Sequence, residues 1–253
     1  MKSIVFIHGF MATPKGWDKW CAYFDKLGYQ SYAPSWLYQE GSVADLQQNP
    51  HPKLASTDLS EVIAHYKNFI DTLEEKPILI GHSLGGVIVQ KLIAEGKGKA
   101  GVCISSGPPK GIFAFHWDFI RSNMQLTNPF ASNPLCLMSV KWFHKYVLNE
   151  MTYAEAETFV KENCVPSSRK VAQTVTKYAT IPFDAPHPPL LFIAGSADRS
   201  QPPIINKKNY EAYTHKESVT TYKEFPTRTH NLINQKDWEA VADYIGTWLK
   251  ENI

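Results

Sequence analysis

The chain predicts an α/β fold, a mostly parallel sheet of about six strands flanked by helices, with an inserted helical cap. Three observations predict it. Short apolar and β-branched runs alternate with longer stretches of helical period, the pattern of βα units. That alternation stops between residues 107 and 188, and it resumes afterwards. A glycine-punctuated hexapeptide, Gly81-His82-Ser83-Leu84-Gly85-Gly86, sits where one of the apolar runs passes into a helical one.

Strands are expected at residues 4–7, 30–33, 78–80, 101–105, 190–194 and 219–222. Val62, Ile63, Tyr66, Phe69, Ile70 and Leu73 fall on one face of a helix that Asp58 and Glu61 open as cap and third residue. Gly28 stops the first helix after Leu27. Trp238, Val241, Ile245, Trp248 and Leu249 give the last helix its buried stripe. Between 107 and 188 no parallel strand is convincing, but helical stretches appear at 115–126, 134–148, 153–162 and 168–178. A connection this long with helices of its own reads as a lid, and prolines crowd both flanks. The expected division is a core of residues 1–107 and 188–253 with a cap of residues 108–187.

At 253 residues, 43% hydrophobic and 20% charged, the chain has ordinary globular usage, which excludes disorder and fibrous repeats. Lys+Arg 26 against Asp+Glu 24 leaves a net charge of +2 without a long basic run, so no nucleic-acid partner is expected. Cys21, Cys103, Cys136 and Cys164 form no CxxC pair and read as free thiols. The apolar run before His8 is too short for a signal peptide, and none is long enough for a membrane span. A soluble, cytoplasmic setting is the expectation. Nothing in the sequence sets an oligomeric state.

Residues 81–86 place GxSxG on a strand-to-helix turn. A nucleophile there adopts a strained backbone, and glycines on either side admit the neighbouring chain. Ser83 is therefore the expected nucleophile. A serine hydroxyl needs a base, and the base needs an orienting acid. Asp198, after the apolar run 190–194, lies where α/β sheets carry their sites. Asp184 is the rival, but it precedes that strand. Among nine histidines, His230 alone follows the acid on a loop after a strand. His8-Gly9-Phe10 ends the first strand, so the backbone N–H groups of Phe10 and Leu84 are the expected oxyanion donors.

With these elements in order, the chain resembles the α/β-hydrolase fold family, specifically its small capped serine hydrolases, over nearly its whole length. The resemblance implies a cap between the sixth and seventh strands of an eight-stranded sheet. This chain opens directly on the oxyanion strand, so the antiparallel hairpin that usually precedes it is expected to be missing, as in plant methylesterases and hydroxynitrile lyases. Ser at position 83 argues against dehalogenases and epoxide hydrolases, which carry Asp there.

No metal or nucleotide motif is present and no cofactor is expected. Aromatic residues of the cap, Trp117 and Trp142 among them, are candidates for the substrate pocket. The expected activity is cleavage of a small apolar carboxylic ester through an acyl-enzyme. Two alternatives use the same scaffold: a lyase or carbon–carbon bond hydrolase, for which Lys207 or Lys208 would supply a pocket lysine, and a weakly catalytic small-ligand receptor.

Overall fold

The computed structural model describes residues 2–253. β1 (Ser3–Ile7) consists of five consecutive buried residues, the signature of a strand covered on both faces. A 3₁₀ turn at Pro14–Trp17 leads into α1 (Asp18–Lys26), which ends at Gly28 with φ +87°, a left-handed position that glycine takes without a Cβ clash. β2 (Gln30–Tyr32) and α2 (Val43–Gln48) follow. A second 3₁₀ turn, Pro52–Ser56, precedes α3 (Leu59–Ile70), which opens on the full Asp58/Glu61 capping box. β3 (Ile78–His82), α4 (Leu84–Ala94) and β4 (Ala100–Ile104) complete the first half.

The insertion comes next: α5 (Trp117–Thr127), β5 (Leu135–Cys136), α6 (Val140–Tyr146), α7 (Tyr153–Asn163), β6 (Ser167–Ser168), α8 (Arg169–Gln173) and α9 (Val175–Tyr178). The chain then rejoins the sheet with β7 (Leu190–Gly195), α10 (Pro203–Ala212), β8 (Thr220–Phe225) and α11 (Glu239–Asn252). The sheet has six strands in the order β2-β1-β3-β4-β7-β8, and every pair is parallel.

Side chains alternate across this sheet as the period of two requires. Val5, Ile7, Leu79, Cys103 and Phe192 pack with α3 and α4 on one face, while Phe6, Ile80, Val102, Ile104 and Ile193 pack with α1 and α11 on the other. The order also locates the site. The chain runs outward from β1 to β2, then returns to β3 and runs the other way, so a crevice opens beyond the carboxyl ends of β1 and β3. The insertion has its own small core, in which Trp142, Phe143, Tyr146, Ala156 and Val160 surround Met11. It is tied to Met11, just past β1, by three bonds: Met11 N–H donates to Ser167 Oγ at 2.9 Å, Val165 N–H donates to Met11 O at 3.1 Å, and Met138 N–H donates to Met11 Sδ at 3.3 Å.

Several boundaries differ from those expected. Leu135 and Cys136 belong to an antiparallel ribbon with Ser167 and Ser168, not to a helix. The stretch 168–178 is two short helices, because the Thr174 hydroxyl donates to Lys170 O at 2.7 Å and accepts Leu59 N–H at 3.1 Å, diverting the chain. The last strand begins one residue later than expected and extends to Phe225.

Candidate active site

Ser83 sits between β3 and α4 at φ 57°, ψ −120°, a conformation a non-glycine residue keeps only when its surroundings impose it. The surroundings here are backbone. A Cβ on Gly81 would lie 2.2 Å from Gly85 O, one on Gly85 2.1 Å from Ile7 O, and one on Gly9 2.9 Å from Ser83 Cβ. Three glycines thus let β1, β3 and the start of α4 converge on the serine.

Ser83 Oγ is 3.0 Å from His230 Nε2, and His230 Nδ1 is 2.8 Å from Asp198 Oδ2. The other carboxylate oxygen of Asp198 accepts the Ser200 and Gln201 N–H groups at 2.8 and 2.7 Å. Because the carboxylate can only accept, Nδ1 of His230 carries a proton and Nε2 faces Ser83 as an acceptor. Asp198 follows β7, and His230 follows β8. The structure therefore brings the three side chains together, and the rival Asp184 is exposed in the loop before β7.

Two further histidines frame the site. His82 Nε2 donates to the His230 carbonyl at 2.7 Å, and the ring centroids lie 4.8 Å apart. Burial, aided by the neighbouring His230, pushes the His82 pKa down to about 3. His8 stacks on Trp36 with centroids 5.1 Å apart, and its Nε2 accepts Trp36 N–H at 3.2 Å. Burial pushes its pKa down to about 4. Both are neutral polar ties at pH 7. Chain order gives neither a role as base, since both precede Ser83, and their adjacency to Gly9 and Ser83 is the signal in the sequence for this one.

A cavity of about 500 Å³ opens over Ser83, with Phe10, Leu84 and His230 on its wall. Its apolar walls include Val87, Phe119, Leu126, Trp142, Phe143 and Val175. Lys15, Asp18 and Lys19 line it from the turn after β1 and the start of α1. Trp117 does not line it, contrary to expectation: the residue is 60% exposed, with its ring against Phe115 and under Arg121. Helical geometry explains this, since Phe119 and Leu126 project from the opposite side of α5. Trp142 is on the wall and 5% exposed. Lys207 lies on α10 beside Glu211 at 3.9 Å, and neither it nor Lys208 reaches the cavity. Among the described residues, no group of three or more His, Cys, Asp or Glu side chains is placed to hold a metal ion.

The model of the alpha/beta hydrolase family matches residues 4–244. The chain belongs to this family. No curated protein sequence matches it. Solved structures resemble this α/β hydrolase along its length. A methylesterase from Arabidopsis has a TM-score of 0.72 at 14% identity, covering 99% of each chain. A monoacylglycerol lipase from Paleococcus ferrophilus has a TM-score of 0.73 at 20% identity, covering 99% of this chain and 95% of that one. Tomato methylketone synthase I, complexed with 2-tridecanone, has a TM-score of 0.74 at 15% identity, covering 100% and 99%. At these identities the likeness establishes the fold. Among the described residues of this α/β hydrolase, no helix is long and apolar enough to cross a membrane.

Proposed function

We propose that the chain is a carboxylic ester hydrolase that works through an acyl-enzyme. The observation that carries this reading is the continuous relay from Ser83 Oγ to His230 Nε2 at 3.0 Å and from His230 Nδ1 to Asp198 Oδ2 at 2.8 Å, on the floor of a mostly apolar cavity. Ser83 attacks the ester carbonyl while His230 takes its proton, and Asp198 holds the imidazole and stabilises the imidazolium. The Phe10 and Leu84 N–H groups receive the oxyanion, each donor worth about 3 kcal/mol. The tetrahedral intermediate collapses, His230 returns the proton to the leaving alcohol, and water activated by His230 hydrolyses the acyl-enzyme.

In this reading residues 108–187 form a cap that shapes the pocket without supplying the nucleophile, acid or base. The apolar residues of the cavity wall favour a small apolar acyl group. The esterase- and lipase-type names of the structural neighbours are consistent with this chemistry.

A fluorophosphonate probe tests the assignment. It is expected to label the wild type once and to leave Ser83→Ala unlabelled. Asp198→Asn is expected to lower kcat on a panel of chromogenic esters by about 10⁴ while leaving the fold intact. Labelling that maps to the buried Ser105 or Ser106 would overturn the assignment.

A further inference from the structure

Asn149 and Glu150, consecutive residues between α6 and α7, reach out of the insertion to the two loops that carry the acid and the base. Asn149 Nδ2 donates to the carbonyl of Ala197, the residue before Asp198, at 3.2 Å. Glu150 uses both carboxylate oxygens: Oε2 accepts the Thr229 hydroxyl at 2.7 Å, and Oε1 accepts the Asn231 side-chain amide at 3.1 Å. Thr229 and Asn231 are the two chain neighbours of His230. All three are buried, at 2%, 3% and 4% exposure respectively for Thr229, Asn231 and His230.

We propose that Glu150 is a positioning residue for His230, a clip that holds the base loop from the insertion side; the proposal rests on the reading of His230 as the general base. Asp198 fixes the imidazole through Nδ1, and His82 fixes the main chain through the His230 carbonyl. Neither restrains the residues on either side of His230. Glu150 does so with two bonds to a charged acceptor, which are stronger than neutral ones. The clip is also part of a closed network. Thr229 Oγ1 accepts Asn231 N–H at 3.3 Å, Gln235 Oε1 accepts Thr229 N–H at 2.9 Å, and Asn231 Oδ1 accepts Asn234 Nδ2 at 3.0 Å. Glu150 itself is exposed, so in its absence water takes the carboxylate's place at the Thr229 hydroxyl and the Asn231 amide, and the loop 229–231 loses its fixed link to the insertion and settles differently. Catalytic geometry is sensitive to such shifts, because a misplacement of about 1 Å costs on the order of 10²-fold in rate.

Glutamine separates geometry from charge. Its Oε1 accepts from Asn231 and its Nε2 donates to the Thr229 oxygen, whose own proton turns to water at this exposed edge, so both links survive without the negative charge.

The experiment compares Glu150→Ala and Glu150→Gln with the wild type by the rate of Ser83 labelling, by kcat and KM on an ester, and by the low-field proton resonance of the His230 imidazole. Glu150→Ala is expected to slow labelling and kcat by about 10- to 100-fold, to leave KM within about threefold, and to shift or broaden the imidazole resonance. Glu150→Gln is expected to stay within about threefold of wild type in rate, with the resonance in place. Wild-type rates and an unchanged resonance in Glu150→Ala would overturn the proposal. So would an equal loss in both variants, which would make the charge, not the links, the operative feature. Should Glu150→Ala not fold, Asn231→Ala removes one arm of the clip and carries the same expectation at reduced size. The resonance reads the His230–Asp198 pair whether or not any ester is turned over. A failure of the ester reading, seen as a wild type that hydrolyses none, is thereby distinguished from a failure of the clip.

Discussion

His8 and His82 place two neutral imidazoles in the buried frame of the site, and this sets an acid limit on stability. Trp36 N–H can only donate, so Nε2 of His8 must be unprotonated to accept it. The folded pKa of His8, about 4, lies below its ordinary 6.5. Between those values the unfolded chain binds a proton that the folded one refuses, so stability falls as pH drops through that window and levels off below it. The loss attributable to His8 reaches about 3 kcal/mol for this shift from 6.5 to about 4. Urea unfolding at pH 7 and pH 4 checks this with His8→Gln, whose amide oxygen accepts the Trp36 N–H without titrating. The wild type is expected to lose up to about 3 kcal/mol more than the variant across that interval, and equal losses would remove His8 as the cause. At this scale the residues grouped around the nucleophile were readable because the elbow is local: six consecutive residues specify strand, turn and helix. Glu150 was not, because its partners lie 79 and 81 positions away and an acid after an asparagine carries no pattern of its own.

The strand–turn–helix formed by β3, Ser83 and α4 depends on space as well as conformation. A methyl group on Gly85 would meet Ile7 O at 2.1 Å and His8 O at 2.9 Å. Both contacts are main chain, so no rotamer change relieves them, and α4 must move off β1. Gly85→Ala is expected to lower stability by more than about 3 kcal/mol, at or beyond the upper range of overpacked sites, and to abolish labelling of Ser83. Gly16→Ala, where nothing lies within 4 Å, is expected to change stability by less than about 0.5 kcal/mol. Thermal melts of the two variants decide the matter, and comparable melting temperatures would contradict the packing account. Elements with strong local signals were readable, as the Asp58/Glu61 box and the Gly28 stop illustrate. The elements of the insertion were less so. β5 and β6 are two residues each, held by a partner strand more than thirty positions away, and only pairing makes them strands. The break at Thr174 likewise depends on Leu59, which is remote in sequence.

Across the whole molecule, the length and periodicity of residues 108–187 announced a helical segment, but not which of its faces meets the crevice. That choice follows from packing: the insertion builds its core around Met11, at the end of β1, and so turns Trp142 and Phe143 toward the space above Ser83. Trp117 stays outside, on the solvent face of α5. The two tryptophans therefore make opposite predictions. Trp142 packs edge-on against Phe143 at 5.3 Å and tilted against Tyr146 at 5.6 Å while forming part of the cavity wall. Trp142→Ala is expected to lower stability by about 3 to 5 kcal/mol, as removal of a buried large aromatic does, and to shift the preferred ester toward bulkier acyl groups because the wall recedes. Trp117→Ala is expected to change stability by less than about 0.5 kcal/mol and to leave the order of kcat/KM across an acyl-chain series as in the wild type. Calorimetric melts paired with that ester series measure both quantities on the same preparations. If Trp117→Ala reordered the series while Trp142→Ala did not, the cavity above Ser83 would not be where the acyl group binds, and the role assigned to the insertion would have to be abandoned.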